Sequence, residues 1–355
     1  MSALATIVSH QDAKIADCLA GGGPMLFWYA QCPLAGDQTA QSTRLHELGF
    51  DNYPVAYLPG LDAVQTYLFF FERILGVTLH GVEGGMGDFF RTWCPPLIHQ
   101  PDEVWHLAID LAASPTWYAY ETVIRNYLRE TPVAERLPIV FPGLSPLDMA
   151  CNLCGTEQFF LLLYEAPDAA DHLLGFLTDL LIEAYHRIAG LGARLVTAHG
   201  FPGVYCSDLQ MPYISPPLLA RLLLPRYARL AAACGGLCCA VLCADVDIMA
   251  SILSIDGVIG CAFDKRLPLN DLAENLASKL FLLPHYCYHD TLDVPTVQDG
   301  IYCNPIVQSY SRELPALYQA LAGRANLAIS IERPSLAEVC AVREALNYSQ
   351  DMQDG

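Results

Sequence analysis

Eight short apolar runs, each bounded by Gly, Pro or polar residues, read as strands: Met25 to Ala30, Tyr53 to Tyr57, Pro138 to Phe141, Arg194 to Ala198, Leu237 to Leu242, Gly257 to Phe263, Lys279 to Pro284 and Asn326 to Ile331. Amphipathic segments separate most of them. The clearest opens after Pro167, with Asp168 as the expected N-cap, and places Leu173, Leu177, Leu180, Leu181, Ala184 and Ile188 on one face before Gly190 and Gly192 end it. A second helix is expected to open with Ser215 as cap and Pro216 in its first turn, and Pro225 should kink it. From the fourth strand onward the two signals alternate, which argues for a parallel α/β sheet and most simply for a closed (β/α)8 barrel of the TIM type.

About eighty residues separate the second and third predicted strands, far more than an ordinary connection takes. This interval holds helical stretches around Leu68 to Leu75 and from about Asp102 to Glu130, with the glycine-rich loop GVEGGMGDFFRTWCPP between them. Residues 58–135 therefore read as an insertion that acts as a lid over an active site. No repeat or linker divides the chain, so residues 1–355 read as one domain.

Several apolar runs stop at residues able to do chemistry. The series is His199, Cys243, Asp264 and His285, and the steps from Cys243 to Asp264 and from Asp264 to His285 are both 21 residues. A strand, a helix and two short loops fill roughly that length, so these side chains would gather at one rim. The spacing by itself says only that these groups share an end of the sheet. The plainer alternatives stand beside this: Cys243 as core packing, Asp264 paired with Lys265 or Arg266.

Composition narrows the classes. Hydrophobic residues make up 53% and charged residues 16%, enough apolar surface to cover both faces of a sheet. With 19 Lys and Arg against 38 Asp and Glu, the formal charge is −19, which disfavours nucleic acid and anionic membrane. Fourteen cysteines raise the question of disulfides. The N-terminal stretch lacks the pattern of a secretory leader, and Cys238, Cys239 and Cys261 lie in apolar runs, so a reducing cytoplasm is the expected location. Residues 18–36 carry no charge, but Gly21, Gly22, Gly23, Pro24, Pro33 and Gly36 make them poor material for a membrane span.

The segment FPGLSPLDMACNLCGTEQFFLLLYEAPDAADHLLGFLTDLLIEAY resembles the uroporphyrinogen decarboxylase superfamily, in which a strand and a G-x-x-S/T-like turn precede a helix ending LYEDP. SDLQMPYISPPLLARLLLPRYARL is similar to that superfamily's "ISPE…F…F…LPY" helix, and AVLCADVDIM to the strand that ends H-x-C-G in its cobamide-dependent methyltransferase branch. The resemblance covers most of residues 130–345. It implies a TIM-type barrel, often dimeric, so a homodimer is expected with it. It also implies one of two chemistries: metal-free decarboxylation of a tetrapyrrole, or zinc-assisted methyl transfer between a corrinoid on a partner protein and a small methyl donor or thiol acceptor.

The residues weigh against the first. The decarboxylase's arginine-bearing motif is replaced by WYAQCP, from Trp28 to Pro33, and recognising eight carboxylates without guanidinium is implausible in an acidic protein. ISIERP stands where the family has a late "GHG". The second reading is favoured but departs from its pattern: Cys243 holds the first Cys position, Val241 stands in place of His, and no Cys falls near Ala328 to Ile331. What the resemblance then implies is a zinc site completed by other strand-end residues, Cys243, Asp264 and His285, which leaves one position open, with His199 as the best substitute ligand. His199, Tyr205 and Asp208 are the implied catalytic residues, the last two in what resembles the substrate-side loop after the fourth strand. Asp208 could equally cap or brace the next helix. A barrel that keeps the fold and only binds a ligand or partner is the alternative function.

Overall fold

The computed structural model describes residues 3–22, 25–31, 38–56, 58, 69–80, 94–143, 145–197, 199–208, 210–241, 245–264, 281–285, 297–298, 301–302, 326–332 and 335–351. In chain order the strands are β1 (Leu26–Gln31), β2 (Ile139–Val140), β3 (Leu195–Val196), β4 (Val204–Asp208), β5 (Leu237–Val241), β6 (Val258–Asp264), β7 (Phe281–His285), β8 (Val297–Gln298), β9 (Ile301–Tyr302) and β10 (Asn326–Glu332). The helices that matter below are α1 (Ala3–Leu19), α2 (Gln38–Glu47), α3 (Phe70–Ile74), α4 (Pro115–Glu130), α5 (Pro146–Cys154), α6 (Thr156–Glu165) and α7 (Pro167–Gly190). The chain forms two compact units, one made chiefly of 55–241 with 254–258, the other of 2–54, 242–253 and 259–355.

In the second unit, β1, β10, β7 and β6 lie side by side in that order, every pair parallel. α1 buries Ile7, Gln11, Ile15 and Cys18, a stripe at helical spacing. Of the expected strand from Tyr53 to Tyr57, residues 53–56 form no strand and Tyr57 lies outside the described residues. The two residues before Tyr53 bond to β1 through their side chains instead: Trp28 N donates to Asp51 Oδ2 at 2.7 Å, Ala30 N to Asn52 Oδ1 at 2.9 Å, and Asn52 Nδ2 to the Ala30 carbonyl at 2.9 Å. Pro54, which has no N–H to offer a ladder, follows at once. Lys14 donates to Asp51 Oδ1 at 2.7 Å and to the Leu26 carbonyl at 2.9 Å, so this buried carboxylate keeps a cation.

The first unit holds two parallel pairs, β2 with β3 and β4 with β5. α7 begins at Pro167 with Ala166 at the cap, so Asp168 lies in the first turn and not at the N-cap. It still sits where the helix dipole favours an anion. Helix α8 runs from Pro216 to Cys234 in three pieces, with a π turn at Leu219–Leu223 between the segments Pro216–Leu218 and Leu224–Cys234. The wider turn is how the helix accommodates Pro225, where the sequence predicted a kink. Arg226 then donates to the Leu222 carbonyl and reaches Asp171 Oδ1 of α7 at 2.9 Å.

β4 was not foreseen as a strand; Tyr205, Ser207 and Asp208 belong to it and not to a loop. Its apolar run is short because a serine and an aspartate occupy its last two positions. Among the described residues the strands make parallel arrays of two to four members within each unit and a small antiparallel pair, β8 with β9. Of the expected lid, 59–68 and 81–93 lie outside the described residues; the remainder includes α3, three 3-10 turns (Pro101–His106, Leu111–Ala113 and Val133–Glu135) and α4. No helix among the described residues is long and apolar enough to cross a membrane.

Two glycines at positive φ separate conformational freedom from space. A Cβ at Gly203 (φ +94°) would lie 1.9 Å from the Gly236 carbonyl oxygen, whereas at Gly76 (φ +99°) it would meet nothing within 4 Å. Gly203→Ala is expected to lower stability by about 3 kcal/mol or more, and Gly76→Ala by about 1 kcal/mol, in urea unfolding.

Candidate active site

Parallel strands place their C-terminal ends on one edge, and in the second unit that edge is polar. Asp264 and His285 are the last residues of β6 and β7 and are direct register partners. β1 and β10 end in the same way with the partners Gln31 and Glu332. The equal 21-residue spacing thus brings two of the three anticipated ligands to adjacent strand ends. Cys243 lies outside the described residues, between Val241 at the end of β5 and Asp245, whose Oδ1 accepts from the N–H groups of Asp247 and Ile248 at 2.9 and 3.1 Å. Gln31 and Glu332 were missed because a polar residue closing an apolar run resembles any loop boundary.

The other candidates lie in the first unit. His199 sits in a turn just after β3, closed by Gly200 N donating to the Thr197 carbonyl at 2.9 Å. Although the residue is partly exposed, its ring is desolvated, and this pushes its pKa down to about 4. It is therefore a neutral imidazole at neutral pH, available as a ligand or a weak base.

Alternation along β4 divides the remaining two. Val204, Cys206 and Asp208 are buried, while Tyr205 and Ser207 are half-buried, so Tyr205 and Asp208 point to opposite faces. Asp208 turns to the helices: Tyr227 of α8 donates its hydroxyl to Oδ2. Of the alternatives the sequence left open, bracing the next helix is the contact observed. Burial pushes Asp208 up to about 6, against the pull of hydroxyl hydrogen bonds from Ser145 and Tyr227. Its Oδ1 has no partner of acceptable geometry.

Ser145 and Asp148 come from the FPGLSP turn and the start of α5. Ser145 caps the helix, its hydroxyl accepting from Asp148 N at 3.0 Å, and Pro146 fills the first position. Asp148 Oδ1 accepts from Gln210 N at 3.2 Å, just beyond the end of β4. The turn can approach β4 only because residue 143 is glycine; a Cβ there would lie 2.6 Å from the Tyr205 carbonyl oxygen. At the other end of α5, Asn152 Nδ2 donates to Glu72 Oε1 at 2.7 Å. Burial pushes Glu72 up to about 7, and its Oε2 has no hydrogen-bond partner.

The cysteines here are poor nucleophiles. Burial pushes Cys154, Cys234 and Cys238 up to about 12, and Cys151 and Cys206 are also raised, first by burial and then by nearby carboxylates. Among the described residues no cluster of three or more His, Cys, Asp or Glu could hold a metal ion.

Parallel ladders interleaved with helices define an α/β fold. In particular, the chain is similar to a methyltransferase from Methanosarcina mazei, with a TM-score of 0.62 over 95% of this chain and 98% of that one. The identity is 13%, so the likeness is one of fold. By sequence, no family model matches the chain, and no curated protein does.

Two outcomes follow. Tyr227→Phe should cost about 1–3 kcal/mol, since it leaves a buried carboxyl without its donor, read from equilibrium unfolding. The ring of His199 should show no protonation between about pH 8 and pH 5 by nitrogen NMR, because its folded pKa lies below the unfolded value. The stability that His199 contributes is then present above about pH 6.5 and is lost as pH falls toward 4.

Proposed function

We propose that this protein is a corrinoid-dependent methyltransferase, moving a methyl group between a cobamide carried on a partner protein and a small methyl donor or thiol acceptor. The observation that carries this reading is the likeness in fold, along nearly the whole of both chains, to a methyltransferase. In this reading the strands close into a (β/α)8 barrel and residues 58–135 cover its mouth. The placement of Asp264 and His285 at adjacent strand ends supports a metal at that edge.

The donor set suits zinc. A carboxylate oxygen, an imidazole nitrogen and the Cys243 thiolate are ligands that zinc accepts, and three protein ligands leave a position for a substrate sulfur. Bound zinc would supply the thiolate form of an acceptor at neutral pH. Asp264, His285 and Cys243 would hold the metal. Tyr205, on the half-buried face of β4, would orient the substrate, and Asp208 would act through Tyr227 and Ser145 as a positioning residue. A reducing cytoplasm suits this chemistry and the free cysteines.

Zinc content and methyl transfer to cob(I)alamin test the proposal together. The purified protein is expected to hold about one zinc per chain. Cys243→Ser, Asp264→Asn and His285→Gln should each lower both zinc content and transfer, the latter by about a hundred-fold or more. Wild-type protein that neither retains zinc nor changes the corrinoid spectrum would leave a ligand-binding barrel, and micromolar porphyrin binding would instead favour the decarboxylase.

A further inference from the structure

Two carboxyl groups in the first unit are fully buried and meet the two ends of one helix. Glu72 is 1% exposed and Asp208 0%. Asp208 engages Ser145, the cap of α5, and Glu72 engages Asn152 in its last turn. α5 itself is almost entirely buried, so its seating depends on what lies at these ends.

Among the described residues, neither acid has a cation acting on it. Around Glu72 stand Asn152 and the Cys94 thiol, which burial and the nearby Glu72 hold up at about 12. Around Asp208 stand Tyr227 of α8, Ser145, Asp148 and Cys151 from α5 and its cap, Cys239 from β5, and Cys206 on its own strand. Tyr227, Cys151, Cys206 and Cys94 are themselves raised by burial, so they remain neutral. Glu121 shows the contrast: it is buried too, but Arg125, Trp117 and Arg187 donate to it and hold it below the usual carboxylate range. A bare carboxylate with one oxygen unpartnered in such surroundings is costly, whereas a neutral carboxyl is not.

We infer that α5 is a proton-linked clamp, seated at both ends by the protonated forms of Glu72 and Asp208 and loosened when either ionises. This goes beyond the methyl-transfer reading and stands or falls without it. Folded-state values of about 7 and about 6 lie above those of the unfolded chain. The stabilisation is therefore complete below about pH 4 and is lost as pH rises through 6 and 7. Around neutrality the clamp would sense the proton concentration.

The test compares folding equilibrium constants of the full-length protein with those of Glu72→Gln and Asp208→Asn. Each substitution keeps an acceptor for the existing hydrogen bond and cannot ionise. Taking the ratio to wild type cancels His199 and every other titrating group. Between about pH 5.5 and pH 8.5 the Glu72→Gln ratio should rise about thirty-fold in favour of the variant, and the Asp208→Asn ratio about four-fold. In the wild type, amide protection of α5, corrected for intrinsic exchange, should fall over the same interval. Its infrared spectrum should show a protonated-carboxyl C=O band at about pH 5.5 that is gone by about pH 8.5. Ratios independent of pH would overturn the clamp; should a variant not fold, absence of the band from the wild type would do so.

Discussion

Parallel pairing is the constraint on which the rest depends. Strands that run the same way must each be returned by a crossover, so their C-terminal ends share an edge and the chain leaves that edge repeatedly. In the second unit this makes Asp264 and His285 register partners although they are far apart in sequence. Asp264 and His285 thus both fall at the C-terminal ends of their strands.

The first unit uses its polar residues differently. β4 alternates, and the face carrying Asp208 is turned toward α5 and α8, so a carboxyl that looks available in sequence is consumed by the hydroxyls of Tyr227 and Ser145. Charge follows partnership. Asp51 with Lys14, and Glu121 with Arg125 and Arg187, are buried as ion pairs, while Asp208 and Glu72 are buried against neutral groups and pushed toward the protonated form. Desolvation acts on Glu121, Glu72 and Asp208 alike; the presence or absence of guanidinium decides the direction.

How much could be read from the chain varied with how local the cause was. Seven of the eight anticipated strands exist, because each is a continuous apolar run that needs burial on both faces. The one that failed, around Tyr53, lost to Asp51 and Asn52, whose side chains reach β1 as a strand's backbone would. The strand that was missed, β4, carries Tyr205, Ser207 and Asp208 in five positions, and only the fold shows that Asp208 is buried while the other two are half-buried. The α7 stripe and the Ser145–Pro146 helix start were legible in residue type alone, since capping and helical spacing act within a few residues.

By itself the sequence determined the alternation of strands and helices, the acidic surface balance, and the spacing that carries Asp264 and His285 to neighbouring strand ends. These follow from periodicity and chain length, which any local segment records. Only the tertiary structure decided that Asp208 faces a tyrosine nineteen residues on, that Glu72 meets Asn152 eighty residues away, and that His199 is held neutral. Hydrogen-bond partners and desolvation are properties of what surrounds a group in space, and residues remote along the chain supply those surroundings.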